Sequence, residues 1–235
     1  MKNRELKEHK ENDFSDVEFL ISDWDGTLVD SMPHYTTSFT RVMSDLLGIK
    51  EEDSKAFFSE TTGQPLSKQI TECAKKFAGQ TVQDTLPLED RFWDNLRDIK
   101  PAILEGAKDF LQQIKDKGIK VVVWSGTRTD VLRTNIELLG LSVLVEFAIG
   151  NEPGSKEKVK GPGLLKEIAK KFGLTPEEFA KKSLVIGDGI GDIQAGKNIN
   201  AITAGYTRVK NTSLEASNAD FFFNNYSQLL QKLKS

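Results

Sequence analysis

Asp23-Trp24-Asp25-Gly26-Thr27-Leu28 places two carboxylates two residues apart at the end of the apolar run 17–22. That run reads as a buried strand closed by a glycine turn. Residues i and i+2 leaving a strand face the same side of the backbone. Open α/β sheets bind ligands at the carboxyl ends of their strands. Two carboxylates this close titrate differently: one stays ionised as nucleophile or metal ligand while its neighbour holds a proton for general acid work. Gly26 permits the tight turn and Thr27 offers a hydroxyl. The competing reading is an ordinary Asp- and Gly-rich turn from strand to helix.

Three further groups sit where a sheet-edge site needs them. Ser125-Gly126-Thr127 follows a second apolar run. A hydroxyl beside glycine-region amides at a strand end can hold a phosphoryl oxygen; a Ser/Thr helix cap is the alternative. Gly187-Asp188-Gly189-Ile190-Gly191-Asp192 follows another run. Its glycines admit close backbone approach, and its two acids share a helix-start face. The spacing matches neither an EF-hand loop nor the GxGxxG fingerprint. An acidic helix N-terminus explains Asp192 about as well as ligation does. Lys156, Lys158 and Lys160 precede Gly161-Pro162 at a helix entry. A single lysine there could neutralise phosphate and carboxylate charge, whereas three spaced lysines are more often a solvated loop.

The elements that must position these groups alternate. Strands are expected at 17–22, 119–125, 144–149, 183–186 and 199–204, with an edge strand at 219–223. Helices are expected at 105–117, 129–139, 162–172, 176–181 and 190–198, with Pro162 and Pro176 in first turns and Gly118, Gly140 and Gly173 as stops. This rhythm predicts an α/β fold: a Rossmann-like three-layer core whose mostly parallel sheet carries helices on both faces. Residues 33–100 contain no buried-strand pattern, and helical spacing at 36–47, 66–77 and 88–96 predicts an inserted all-helical cap. The expected division is a polar leader at 1–16, a core from 17–32 plus 101–235, and a cap at 33–100.

Composition limits the chemistry. The 235 residues carry 32 basic and 35 acidic side chains, a net charge of -3, which points to neither nucleic acid nor an anionic membrane. No apolar stretch approaches the roughly 20 residues that span a bilayer. The single cysteine allows no internal disulfide and fits a reducing cytosol. Two histidines supply a zinc site or a Ser-His-Asp triad poorly. Any metal should therefore be a hard ion held by oxygen.

Taken together, the four motifs resemble the haloacid dehalogenase-like superfamily of phosphatases, from about residue 17 to 223. Asp23-x-Asp25-Gly26-Thr27 matches its first motif and Ser125-Gly126-Thr127 its second. Lys160 with Pro162 looks like the third, and Gly187-Asp188-Gly189-x-x-Asp192 the fourth. The helical insert, Asp30-Ser31-Met32-Pro33 and Thr62-Gly63-Gln64-Pro65-Leu66 are similar to the phosphoglycolate phosphatase and β-phosphoglucomutase branch. Two departures stand out. Gly161 separates Lys160 from Pro162, which keeps Lys158 as a competitor, and Trp24 is bulkier than the usual residue between the aspartates.

The resemblance implies Mg2+-dependent hydrolysis of a small phosphorylated metabolite through an aspartyl-phosphate. Asp23 is implied as nucleophile and Asp25 as acid and base. Mg2+ is implied at Asp23, Asp188, the main-chain carbonyl of Asp25 and Asp192; Ser125, Gly126 and Lys160 are implied on the phosphoryl group. His34, Tyr35, Gln64, Lys68 and Arg128 are candidates toward substrate by position; His34 reads equally as a helix-surface residue and Gln64 as a turn residue, whereas Arg128 reads more readily as an exposed helix-start arginine. The alternative is a phosphomutase acting on a sugar phosphate with the same Asp pair. A dehalogenase does not need Asp25, and a receiver-like domain does not need the insert. No nucleic acid or membrane partner is implied, and a monomer or homodimer is expected.

Overall fold

The computed structural model describes residues 14–152, 160, 162–208, 212–215 and 217–233. In chain order the elements are β1 (Phe19–Ser22), β2 (Val29–Asp30), α1 (Met32–Leu47), α2 (Glu51–Glu60), α3 (Leu66–Cys73), a π-helical turn (Ala74–Ala78), α4 (Leu86–Asp94), β3 (Ala102–Ile103), α5 (Ala107–Asp116), β4 (Lys120–Arg128), α6 (Thr129–Leu138), β5 (Phe147–Asn151), α7 (Pro162–Lys171), α8 (Pro176–Lys181), β6 (Ser183–Gly187), α9 (Ile190–Asn198), β7 (Ile202–Tyr206), α10 (Thr212–Glu215), β8 (Phe221–Phe223) and α11 (Tyr226–Lys232).

Six strands form one parallel sheet in the order β5-β4-β1-β6-β7-β8. Strand β1 lies between β4 and β6, with Ser22 level with Val123 on one side and Ile186 on the other. The loops that follow these three strands therefore leave the sheet side by side.

Both sheet faces are covered, which is why the strands are apolar throughout rather than alternating. Leu20, Val121, Val123, Leu184 and Ile186 pack with α5, α6 and α11. Phe19, Ile21, Val122, Trp124 and Val185 pack with α7, α8 and α9. The α/β core reading is thus borne out. Gly118, Gly140 and Gly173 end α5, α6 and α7 with φ of 77°, 66° and 69°, as the stop signals require. A Thr175–Glu178 capping box starts α8.

Helices α1 to α4 share a second apolar core that includes Tyr35, Phe39, Phe58, Ile70 and Phe92 and reaches Val131 of α6. Two chain crossings connect this layer to the sheet, and β2 and β3 pair antiparallel between them. Residues 33–100 are helical, as expected, but the pattern at 66–77 divides into α3 and the π-helical turn.

Several expectations need correction. The third strand is β5, not 144–149: the amides of Leu144 and Val145 bond to the Leu141 carbonyl and close a turn instead. Helix α2 has a weak apolar face, with only Ser54, Phe57 and Phe58 buried, so its periodicity was not legible. The ribbon β2–β3 is too short to leave a pattern, and α11 starts from an Asn225 cap after the last strand. The leader does not remain solvated to residue 16: Phe14 is buried and meets Phe221 edge-on at 6.3 Å. Residues 1–13 lie outside the described residues.

Candidate active site

The backbone after β1 sets the acid pair. The Asp23 amide bonds to the Ile186 carbonyl at 2.9 Å, extending the sheet by one residue. Trp24 then turns fully into the core beneath α5 and α11, and its carbonyl accepts the amides of Leu28 and Val29 at 2.9 and 3.1 Å. With Trp24 anchored below, Asp23 and Asp25 both line a cavity of about 590 Å3 above the sheet edge. The bulky residue between the two aspartates is thus a core residue. Gly26 (φ 78°) makes the turn, and any Cβ there would collide with the Asp188 carboxylate. A Cβ on Gly187 would collide with Asp192 in the same way.

Asp23, Asp188 and Asp192 present carboxylate oxygens that all lie within 4.8 Å of one another. Lys160 Nζ donates to Asp23 Oδ1 and, at 2.6 Å, to Asp192 Oδ1. The other Asp192 oxygen accepts the Gly189 amide at 3.0 Å, so Asp192 is both helix-start acid and lysine partner. Three carboxylates facing one ammonium leave two negative charges uncompensated in a largely buried cluster. Burial lifts the Asp23 carboxyl well above its ordinary value; Lys160 opposes this, and Asp192, Asp188 and Asp25 add to it. Burial and Asp192 push Asp188 up to about 6 against the pull of Lys160. For Lys160, burial acts against the ammonium, but Asp192 and Asp23 outweigh it and the pKa rises. Hard oxygen donors in excess negative charge suit a divalent cation such as Mg2+.

This crowding makes a signed prediction. A carboxyl that holds its proton more tightly folded than unfolded costs stability, and the cost grows as pH rises from about 4 to about 6. Above that range the cost is complete. Asp188→Asn should therefore raise the melting temperature of the EDTA-treated protein at pH 8 by roughly 3–6 °C. The gain should shrink as pH falls toward 5, and thermal melts across this range check it.

Asp25 faces a different group. Its Oδ2 accepts Ser125 Oγ at 2.9 Å and Thr127 Oγ1 at 2.8 Å, and its Oδ1 accepts the Ser31 hydroxyl. Tyr35 OH meets Thr127 Oγ1 at 2.6 Å. Burial and Asp25 push the Tyr35 phenol up, so it stays a neutral hydrogen-bonding group. Ser125 and Thr127 are not helix caps: α6 starts at Thr129, and the Thr127 amide bonds to Ser125 Oγ at 2.9 Å. Gly126 lines the cavity, whereas Ser125 lies fully buried below it with its hydroxyl on Asp25. Thr27, Ser31 and Thr127 stand in the sequence motifs, but spacing alone did not show that Ser31 and Thr127 bond to Asp25.

The remaining candidates separate. Gln64 lines the cavity. His34 and Lys68 are not among the lining residues, and Lys68 pairs with Glu72 at 3.7 Å. Arg128 lines it too, but it is no exposed helix-start arginine. It is 6% exposed, with Nε and Nη2 on Asp130 at 2.7 and 3.0 Å and Nη1 on Asp90 at 2.8 Å. Lys156 and Lys158 lie outside the described residues.

Comparison with known proteins agrees with this geometry. The chain is 27% identical over 224 residues to a Clostridium perfringens protein named "Putative pyrophosphatase PpaX", covering 93% of this chain and 100% of that one. It is 23% identical over 243 residues to the phosphoglycolate phosphatase of Escherichia coli strain K12, covering 94% of each. A crystal structure titled as a predicted phosphoglycolate phosphatase from Haemophilus somnus 129pt has the same fold, with a TM-score of 0.78 at 20% identity over 93% of this chain and 99% of that one. The family model for haloacid dehalogenase-like hydrolases matches residues 17–200, which contain all four motifs, and the chain is an enzyme belonging to that family.

Proposed function

We propose that the protein is a Mg2+-dependent phosphatase that hydrolyses a small-molecule phosphomonoester through an aspartyl-phosphate on Asp23. The observation that carries this reading is the Asp23 carboxylate, paired with Lys160 and set beside Asp188 and Asp192 at the floor of the cavity. The names of the relatives support the same class of reaction.

Asp23, Asp188, the main-chain carbonyl of Asp25 and Asp192 are the groups that would hold Mg2+. When bound, the ion supplies positive charge against the phosphoryl oxygens and relieves the crowding of the acids. The chain's own residues do the rest. An Asp23 oxygen attacks phosphorus in line, and the bond from phosphorus to the ester oxygen breaks. Asp25 delivers a proton to the departing oxygen, then takes one from the water that attacks the aspartyl-phosphate. Ser31, Ser125 and Thr127 fix both Asp25 oxygens, which orients it for these transfers. Lys160 neutralises equatorial phosphoryl charge. Gly126 borders the same space, and Ser125 would reach a phosphoryl oxygen only by giving up its bond to Asp25. Helices α1 to α4 act as a cap that excludes bulk water and presents side chains to the leaving group.

Phosphate release from a panel of phosphomonoesters, with and without Mg2+, tests the proposal. Metal-dependent release is expected. Isomerised sugar phosphate without release would turn the reading to a mutase, and silence on every ester would overturn it.

A further inference from the structure

The relatives' names point to substrates with a second anionic group: a carboxylate in phosphoglycolate, a second phosphate in pyrophosphate. Beyond its phosphoryl end the cavity of this chain is lined largely by acids, amides and aromatic rings. Among the described residues, Lys160 and Arg128 are its only lining cations. Lys160 is taken by Asp23 and Asp192 at the reacting end. Every nitrogen of the Arg128 guanidinium is bonded to a carboxylate, with Asp94 a further 3.7 Å neighbour. Its charge is already matched, and a substrate carboxylate would have to displace Asp130 or Asp90 to use it.

The rest of the wall carries three acids and two unpaired hydrogen-bond acceptors. Glu89, Asp90 and Glu152 line it. Asn151 donates its Nδ2 to the Gly126 carbonyl at 2.9 Å, which leaves Oδ1 buried without a partner. Gln64 Oε1 is also buried and unpaired on the same wall. Unpaired buried acceptors are costly, and on a cavity wall a water or a ligand donor can meet that cost. Four aromatic rings line the same cavity, Tyr35, Phe58, Phe92 and Trp93, with the Tyr35–Trp93 and Phe92–Trp93 rings edge-on at 5.8 and 4.8 Å. A volume of about 590 Å3 is that of a pocket for a ring-sized ligand rather than a two-carbon acid.

We propose that the leaving group is an uncharged alcohol carrying a flat ring and N–H or O–H donors, the chemistry of a nucleoside, and that anionic leaving groups are rejected. The proposal rests on the phosphatase reading and narrows it. The ring packs on the aromatic wall, and its donors meet Asn151 Oδ1, Gln64 Oε1 and Glu89. Against a carboxylate or a second phosphate, Glu89, Asp90 and Glu152 present like charge, and the two amide oxygens present acceptors where a donor is needed.

The full chain with Mg2+ should be assayed for kcat/KM on adenosine 5′-monophosphate, phosphoglycolate and pyrophosphate. Adenosine 5′-monophosphate should exceed each of the others by at least about ten-fold. Phosphoglycolate or pyrophosphate turned over equally well or better would overturn the inference and leave the phosphatase reading standing. Turnover of no phosphate ester, including the broader panel, would remove that reading and the inference with it. Asp90→Ala, on a half-exposed side chain, removes one acid and the acceptor of Arg128 Nη1. It should raise the phosphoglycolate to adenosine 5′-monophosphate ratio several-fold, whereas an unchanged ratio would count against charge exclusion.

Discussion

Asp23→Asn should lower phosphate release by at least about 10^4-fold, the scale on which enzymes lose activity with their nucleophile. Asparagine matches aspartate in shape but has no anionic oxygen to attack phosphorus. The surrounding frame should survive the change. The Asp23 amide still pairs with Ile186, Trp24 still anchors the turn, and Lys160 keeps Asp192 at 2.6 Å. The loss should therefore appear in kcat while circular dichroism stays that of the parent. Acid-quenched parent enzyme should carry phosphate on Asp23 by mass spectrometry, and the variant should carry none. Release by the purified variant above background would sink the covalent scheme.

Lys160→Met should damage both activity and stability. Lys160 is the only described cation in contact with Asp23 and Asp192. Removing it leaves buried acids with no counter-charge, a change that costs about 3 kcal/mol when a buried pair is broken on one side. For a chain of this length that is roughly 5–10 °C in the melting temperature of the EDTA-treated protein. Added Mg2+ should recover part of the loss, because a divalent cation replaces the missing charge. Activity should fall by about 10^2–10^3-fold even at saturating Mg2+, since no ammonium then meets the phosphoryl oxygens. Near-parental activity in Lys160→Met would assign the role to Lys158 instead. Asp188→Asn alters the same cluster with the opposite sign in metal-free stability, so the pair of variants separates a charge effect from loss of packing.

Much of this was legible in the sequence because the motifs are local. Asp23 and Asp25 share a side because of strand geometry, and the glycines beside Asp188 announce a close approach that only a residue without a Cβ permits. The alternation of strand and helix was enough to expect the parallel sheet. Less regular elements escaped: α2 buries few apolar residues, and β2–β3 is two residues long on each side.

The sequence by itself determined the α/β core and the strand-end placement of the acids, and it left Lys160 and Lys158 as competitors. Tertiary structure alone decided how these groups partner. Setting β1 between β4 and β6 brings Asp25 to Ser125 and Thr127, 100 and 102 residues away, and Asp23 to Lys160, 137 residues away. Arg128 looked like a surface residue until packing put Asp90 of α4 against it across a separation of 38 residues. Local spacing encodes which face a side chain leaves from, but a hydrogen-bond partner distant in the chain exists only once burial and sheet order have brought the two groups together.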